Sequence, residues 1–364
     1  MRKVILVNEG RMPHYRIPVY SYLDGYLKKY GYSLIVASEG AQNENPHAIR
    51  FQHEQTVQCF SNLRRLFRRE KPDAALLWLG PHLYMIPLHL YFKWRRIKVI
   101  HWGHRRPMHR HILIKNILYN LEHWMDDAVV VYAEDLRKYI WNRFQSKTFV
   151  ANNTLNLTEY RGGDVSREEI KRKYNIPTAK NIICVGRMHR RKRIDDLVEA
   201  FRALKLDDVG LILVGPDPDG ILSKLDGRNV FKFGPVHGDE SLDLLSASDV
   251  YCLPGAVGLG IVDALYCGLP VITENVMHGP EIMYLKEGIN GFITPVGDID
   301  QLASKLRLLL TDDDMRARFS KAAREEISVS GHIEKMCEGF LSALQYVCRQ
   351  EDGATMRVDG DSCS

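Results

Sequence analysis

The sequence predicts an α/β protein made of two doubly wound, parallel-sheet domains. Three observations lead there. Apolar runs of four to six residues recur along the chain, too continuous for one face to meet water, so the strands they mark are covered on both sides. Segments with helical spacing alternate with them, giving repeated strand–helix–strand units. The 364 residues also suffice for about two domains of the usual ~150 residues.

In the front half, strands are expected at 4–8, 34–38, 74–79, 98–102, 128–132 and 149–152, and in the back half at 182–185, 210–214, 230–233, 250–253, 270–273 and 291–294. Helices are expected at 15–30, 63–69, 110–123, 194–204, 242–247 and 301–311. The pattern breaks near 153–166, which divides the chain into a domain at 1–158 and another at 159–330. A C-terminal helix at 331–348, able to cross back to the first domain, and a disordered Gly-, Asp- and Ser-rich tail at 349–364 complete the expectation. Right-handed crossovers put the site-bearing strand ends on one edge of each sheet, and the two edges are expected to face a common cleft.

Composition removes several classes. With 45% hydrophobic and 26% charged residues, the chain is neither collagen-like, coiled-coil nor wholly disordered. No apolar run reaches the ~18 residues of a spanning helix. The best candidate, 84–92, contains His89 and meets Lys93, Arg95 and Arg96. Met1-Arg2-Lys3 followed by Val4-Ile5-Leu6-Val7 reads as a first strand rather than a signal peptide. Seven cysteines without a Cys-x-x-Cys pair suggest neither a disulfide framework nor a cysteine zinc site, and Cys184 and Cys252 read as small core residues. A cytoplasmic protein is expected.

The net charge of +5 hides a division: residues 1–150 hold 24 Lys and Arg against 12 Asp and Glu, the remainder 26 against 33. A basic front half suits nucleic acid, anionic lipid or phosphorylated substrates. No nucleic-acid-binding motif accompanies the charge, so that partner is not expected.

Three constellations carry chemistry. Val185-Gly186-Arg187-Met188-His189-Arg190-Arg191-Lys192-Arg193 joins a strand to a helix and holds five cations in seven residues. Gly186 permits a close turn, and Arg187 and Lys192 can converge on a diphosphate; the plain alternative is a solvated basic loop. The second runs from Tyr251 to Ala264, with glycines at 255, 258 and 260 opening a helix, so that amides of Val257, Gly258, Leu259 and Gly260 can meet a phosphate. Alone, such a loop equally fits close packing of helix on strand. Asp263, in the first helical turn, either complements the helix dipole or accepts ribose hydroxyls. The third is His278-Gly279-Pro280-Glu281-Ile282, where proline suits a helix start and Glu281 is either a favourable first-turn charge or a contact to a polar ligand.

Together these residues resemble glycosyltransferase family four, the retaining enzymes of GT-B architecture. The matching segments are Gly186, Arg187 and Lys192; Leu213-Val214-Gly215; Phe233-Gly234; Ser248-Asp249-Val250; Leu253-Pro254; Cys267-Gly268-Leu269-Pro270-Val271-Ile272; Pro280-Glu281-Ile282; and Gly288-Ile289-Asn290-Gly291-Phe292. The resemblance implies two Rossmann-like domains, a nucleotide-diphosphate sugar (UDP- or GDP-linked) as donor, and no metal or other cofactor. It implies donor contacts at Gly10 and at the three constellations, with Asp263 on the ribose and Glu281 on the sugar hydroxyls. It places Tyr15, Arg16 and Arg105 toward the acceptor and His104, rather than His101, beside the reacting sugar. The family pattern has two glutamates separated by seven residues. Here the loop offers no acid before Asp263, which stands in the second position.

The implied reaction follows from leaving-group electrostatics. Breaking a sugar–phosphate bond puts negative charge on a nucleoside diphosphate, which Arg187, Lys192 and loop amides can stabilise. The acceptor hydroxyl attacks from the face the diphosphate leaves, which retains anomeric configuration. An epimerase of the same architecture and a catalytically silent nucleotide-binding subunit are the alternatives. Asp217-Pro218-Asp219 could instead grip a divalent ion, although Pro-Asp-Gly is first a turn signal. A dehydrogenase is disfavoured, since Gly-x-Gly-x-x-Gly is missing after the first strand. Arg64, Arg65, Arg68, Arg69, Lys93, Arg95, Arg96, Arg105, Arg106 and Arg110, interleaved with Phe67, Tyr91, Phe92 and Trp94, point to peripheral attachment at an anionic cytoplasmic leaflet and a lipid-linked or oligosaccharide acceptor.

Overall fold

The computed structural model describes residues 1–42, 46–78, 84–104, 112–160, 165–225 and 227–358. Two compact units emerge: unit 1 comprises Met1–Asn156 and Ile333–Ser364, unit 2 Leu157–His332.

Unit 1 runs β1 (Arg2–Val7), α1 (Arg16–Lys28), β2 (Tyr32–Ser38), β3 (Gln52–Gln55), α2 (Phe60–Glu70), β4 (Ala74–Trp78), α3 (Met85–Arg95), β5 (Lys98–His104), α4 (Ile112–Glu122), β6 (Ala128–Val131) and β7 (Thr148–Val150). All seven strands are parallel in the order β3-β2-β1-β4-β5-β6-β7. The order reverses beside β1, which makes the neighbouring ends of β1 and β4 the switch point where such sheets bind ligands. On one face, Leu63, Leu66 and Phe67 of α2 and Leu88, Tyr91 and Phe92 of α3 share a core with Ile5, Ala75 and Val99. Helix α2 forms because its apolar residues fall on one side, while Arg64, Arg65, Arg68 and Arg69 remain exposed on the other.

Unit 2 contains α5 (Arg167–Lys173), β8 (Lys180–Val185), α6 (Ile194–Leu204), β9 (Val209–Val214), β10 (Val230–Phe233), α7 (Asp239–Ser246), β11 (Val250–Cys252), α8 (Gly260–Tyr266), β12 (Val271–Glu274), β13 (Gly291–Thr294), α9 (Ile299–Thr311) and α10 (Asp313–Glu326). Its six parallel strands lie in the order β10-β9-β8-β11-β12-β13 and reverse between β8 and β11. Ser166 and Glu169 form a reciprocal capping box on α5, and Asp298 and Asp312 cap α9 and α10. Cys184 and Cys252 are buried in β8 and β11.

The last helix, α11 (Ile333–Val358), packs on unit 1, where Phe340 meets Trp102 edge-on at 4.9 Å. A side chain on Gly339 would overlap the Val150 carbonyl, so glycine lets the helix lie directly on β7. The tail expected from 349 is corrected here, because the helical backbone continues to Val358. A nucleated helix propagates without an apolar face, which composition alone does not register. Helix α3 and the short edge strand β3 were not among the expected elements. The first is too apolar throughout to show a helical stripe, and the second is too polar to show a strand.

Candidate functional site

At the switch point of unit 2, two loops are locked together through main chain. After β8, Gly186 turns at φ +146°, and a side chain on neighbouring Gly215 (φ +138°) would overlap the Gly186 carbonyl. The chain then passes buried Met188, makes a 3-10 turn at Arg190–Lys192 and enters α6 through Arg193 in the left-handed region. From the other side, Gly255 donates its amide to the Lys192 carbonyl at 3.0 Å. A Cβ at Gly255 would collide with the backbone of Arg191 and Lys192. The Lys192 ammonium donates to the Ala256 carbonyl, closing a reciprocal tie between the loops. Burial lowers the pKa of Lys192, while the charges of Cys184 and Glu281 act to raise it. The Arg187 side chain is exposed, with no ion pair or hydrogen bond among the described residues, while its carbonyl accepts from the His189 amide at 3.0 Å.

The glycine-rich loop rests on a histidine. The amide of Val257 donates to His278 Nδ1 at 3.2 Å, and Nε2 of that ring lies 2.8 Å from the Glu274 carbonyl. A carbonyl only accepts, so the bonds assign a neutral imidazole with its proton on Nε2. Gly279 in turn donates to the Val257 carbonyl at 3.2 Å. The buried Glu281 carboxylate lies over Gly279, where any side chain would overlap it. Val257 therefore offers no free amide, which corrects that expectation. Gly258 and Leu259 do, having no protein acceptor among the described residues. Gly260 opens α8, and its Cα faces the Tyr251 hydroxyl, which donates to the Val185 carbonyl at 3.2 Å. Asp263 follows on α8, its carboxyl pushed up to about 7 by burial.

The Asp217-Pro218-Asp219 segment is a turn. Both Asp217 carboxylate oxygens accept backbone amides, from Ile221 and Leu222 at 2.8 Å each, and Asp219 accepts from the Arg190 amide at 3.1 Å. These acids brace the first loop.

In unit 1, Gly10 makes a left-handed turn after β1 (φ +62°), and Tyr15 precedes α1. Arg16 is no surface cation. It is 3% exposed, its guanidinium 4.8 Å from the Trp102 ring and 5.6 Å from that of Trp78, with Nη2 donating to Asn153 at 2.9 Å. Nε and Nη1 are buried with no hydrogen-bond partner among the described residues. His101 points into the sheet's helix-covered face, 2.7 Å from Asp126, and so does not reach a ligand at the strand end. His104 ends β5; its side chain, and Arg105, lie outside the described residues.

Residues 166–326 match the family described as glycosyl transferases group 1. The segment is a group 1 glycosyltransferase domain. The chain is 30% identical over 154 residues to the sulfoquinovosyl transferase SQD2 of Arabidopsis thaliana, covering 41% of this chain and 30% of that protein. It is 28% identical over 209 residues to a GDP-mannose-dependent alpha-(1-6)-phosphatidylinositol monomannoside mannosyltransferase of Mycobacterium tuberculosis, covering 52% of this chain and 54% of the relative. The chain thus spans about half or less of the length of these curated relatives. The structure of Anabaena Alr3699/HepE in complex with UDP-glucose superposes with a TM-score of 0.75 at 15% identity, over 95% of this chain and 100% of that one. That likeness carries the GT-B fold.

Within the glycosyltransferase domain, the first glutamate of the family pattern falls on Gly255. Backbone from Arg191 and Lys192 occupies the space its side chain would need. Gly255 and His278 are the residues whose work sequence reasoning missed. Spacing places both in motifs but does not disclose that work, since each acts through contacts with other loops.

Proposed function

We propose that this chain is a retaining, metal-independent glycosyltransferase that moves a sugar from a UDP- or GDP-linked donor to a lipid-linked or oligosaccharide acceptor. The observation that carries this reading is the interlock of the β8 and β11 loops, which leaves Arg187 and the amides of Gly258 and Leu259 available at one switch point. These groups stabilise charge on the departing diphosphate, and their preorganisation spares reorganisation during the reaction. Lys192 adds its charge from beneath while holding the loop. Asp263 accepts from ribose hydroxyls and Glu281 from sugar hydroxyls. Retention follows when the acceptor oxygen enters on the side the phosphate vacates and the phosphate takes its proton. Gly10, Tyr15 and His104 serve the sugar and acceptor. Arg16 acts through the Trp78–Trp102 pair as a support for that loop.

The acceptor class draws on the surface of unit 1. Helix α3 exposes Ile86, Leu90 and Trp94 at successive turns, and α4 exposes Ile114, Ile117, Leu118 and Leu121. Cations Lys93, Arg95 and Arg96 flank the first stripe. Apolar stripes bordered by cations fit the interface of an anionic bilayer, where a lipid-linked acceptor would lie. Among the described residues, no helix is long and apolar enough to cross a membrane.

The test is sugar release from UDP- and GDP-sugars without added Mg²⁺ or Mn²⁺, with nucleotide-induced thermal stabilisation measured alongside. The reading expects one nucleotide series to stabilise the protein and turn over in the presence of a lipid acceptor, with Arg187→Ala slowing turnover by about 10²–10³-fold. A silent binding subunit is the second reading, favoured by Gly255 in place of the first acid. It expects stabilisation by nucleotide with no turnover.

A further inference from the structure

Beneath α3 and α4, three histidines surround one carboxylate in the interior of unit 1. His89 lies on α3, His101 on β5, His123 just beyond α4, and Asp126 just before β6; each of the four is at most 5% exposed. Asp126 Oδ1 lies 3.2 Å from His89 Nε2 and 2.7 Å from His101 Nδ1, while Oδ2 lies 2.9 Å from His123 Nδ1.

Proton counting exposes a deficit. His89 Nδ1 faces the Met85 carbonyl at 2.8 Å, so that nitrogen must donate, and in a neutral ring Nε2 carries the lone pair. Yet Nε2 faces a carboxylate oxygen, which also only accepts. A positive centre, either a proton or a metal ion, is needed between the two. His101 shows the same shortage, because among the described residues neither buried ring nitrogen makes a hydrogen bond despite the short approach to Asp126. Lys147 does not fill the gap, since its ammonium is directed at the backbone carbonyls of His123 and Asp126.

We infer that His89 Nε2, His101 Nδ1 and Asp126 Oδ1 form a binding site for a single zinc-type divalent ion. One ligand atom from each of the three residues lies within 4.8 Å of the other two, and imidazole nitrogen with one carboxylate oxygen suits zinc. The outer contacts match those of metal sites: the Met85 carbonyl fixes the His89 tautomer, and His123 orients the carboxylate through its second oxygen. Three protein ligands leave a further position for water. The ion ties α3, β5 and the start of β6 together under the apolar stripes, a structural role separate from leaving-group stabilisation.

The experiment measures metal in the full chain purified without chelator and then dialysed against buffer containing zinc. About one zinc per chain is expected, together with a visible absorption band on cobalt substitution, a melting temperature that falls on stripping and returns with zinc but not magnesium, and loss of the cobalt band in His101→Ala. Wild-type protein with no zinc above buffer background and a melting temperature indifferent to zinc overturns the site. So does nitrogen NMR showing His89 protonated on both ring nitrogens after zinc addition, which would assign the missing positive centre to a proton. None of these readouts depends on sugar transfer.

Discussion

Asp263 carries the most direct consequence at the residue scale. Its folded carboxyl titrates at about 7 against an ordinary 3.8 because burial disfavours its charge. Between those values the folded chain holds a proton that the unfolded chain releases, so this residue's contribution to stability declines as pH rises through that window and is gone above it. Asp263→Asn is therefore expected to gain melting temperature over wild type at pH 8, with the gap closing toward pH 4. On the proposed ribose role binding runs the other way, since the ionised form accepts hydroxyls better. Calorimetry should show affinity for a sugar nucleotide increasing from pH 6 to 8 in wild type and flat in the variant. The two cations divide similarly. Arg187→Ala should leave melting unchanged and cost about 10²–10³-fold in kcat, the magnitude typical of one fixed charge-stabilising donor. Lys192→Ala should lower both, because its ammonium also ties the loops. Arg187, Lys192 and Glu281 were legible as residue types in order along the chain. The burial of Arg16 was not, because a tyrosine–arginine pair before a helix does not disclose two tryptophans from strands more than sixty residues away.

Elements show where glycine is a requirement and where it is a convenience. Gly255→Ala forces backbone apart at Arg191 and Lys192, an overpacking expected to cost roughly 1–3 kcal/mol and to weaken nucleotide binding. Gly258→Ala meets nothing within 4 Å and has no left-handed φ, so denaturation should find it close to wild type. Denaturant titration and calorimetry on the two variants distinguish a loop fixed by main-chain contact from one that is merely glycine-rich. Sequence spacing marks both as members of the same motif. Only the approach of the neighbouring loop separates them, and that approach depends on strand order.

For the whole molecule, the doubly wound pattern was readable because buried parallel strands are apolar on both faces, as in β1, β8 and β9. The polar edge strand β3 and the uniformly apolar α3 escaped the same rule for opposite reasons. The apolar stripe of α3 leads to a prediction about the intact chain. Replacing Leu90 and Trp94, which are 62% and 73% exposed, with serine should reduce flotation with anionic vesicles while leaving melting unchanged. Flotation of wild type should itself weaken as salt is raised, since the flanking cations act within a Debye length.

The meeting of Gly186 with Gly215, and of Gly255 with Arg191, paves the proposed nucleotide pocket in bare peptide. Such paving grips what every sugar nucleotide shares and offers little by which one could be told from another. On the proposed reading, choice of sugar is then written along the rim, where an exposed residue such as Arg187 can be exchanged without disturbing the ground beneath it.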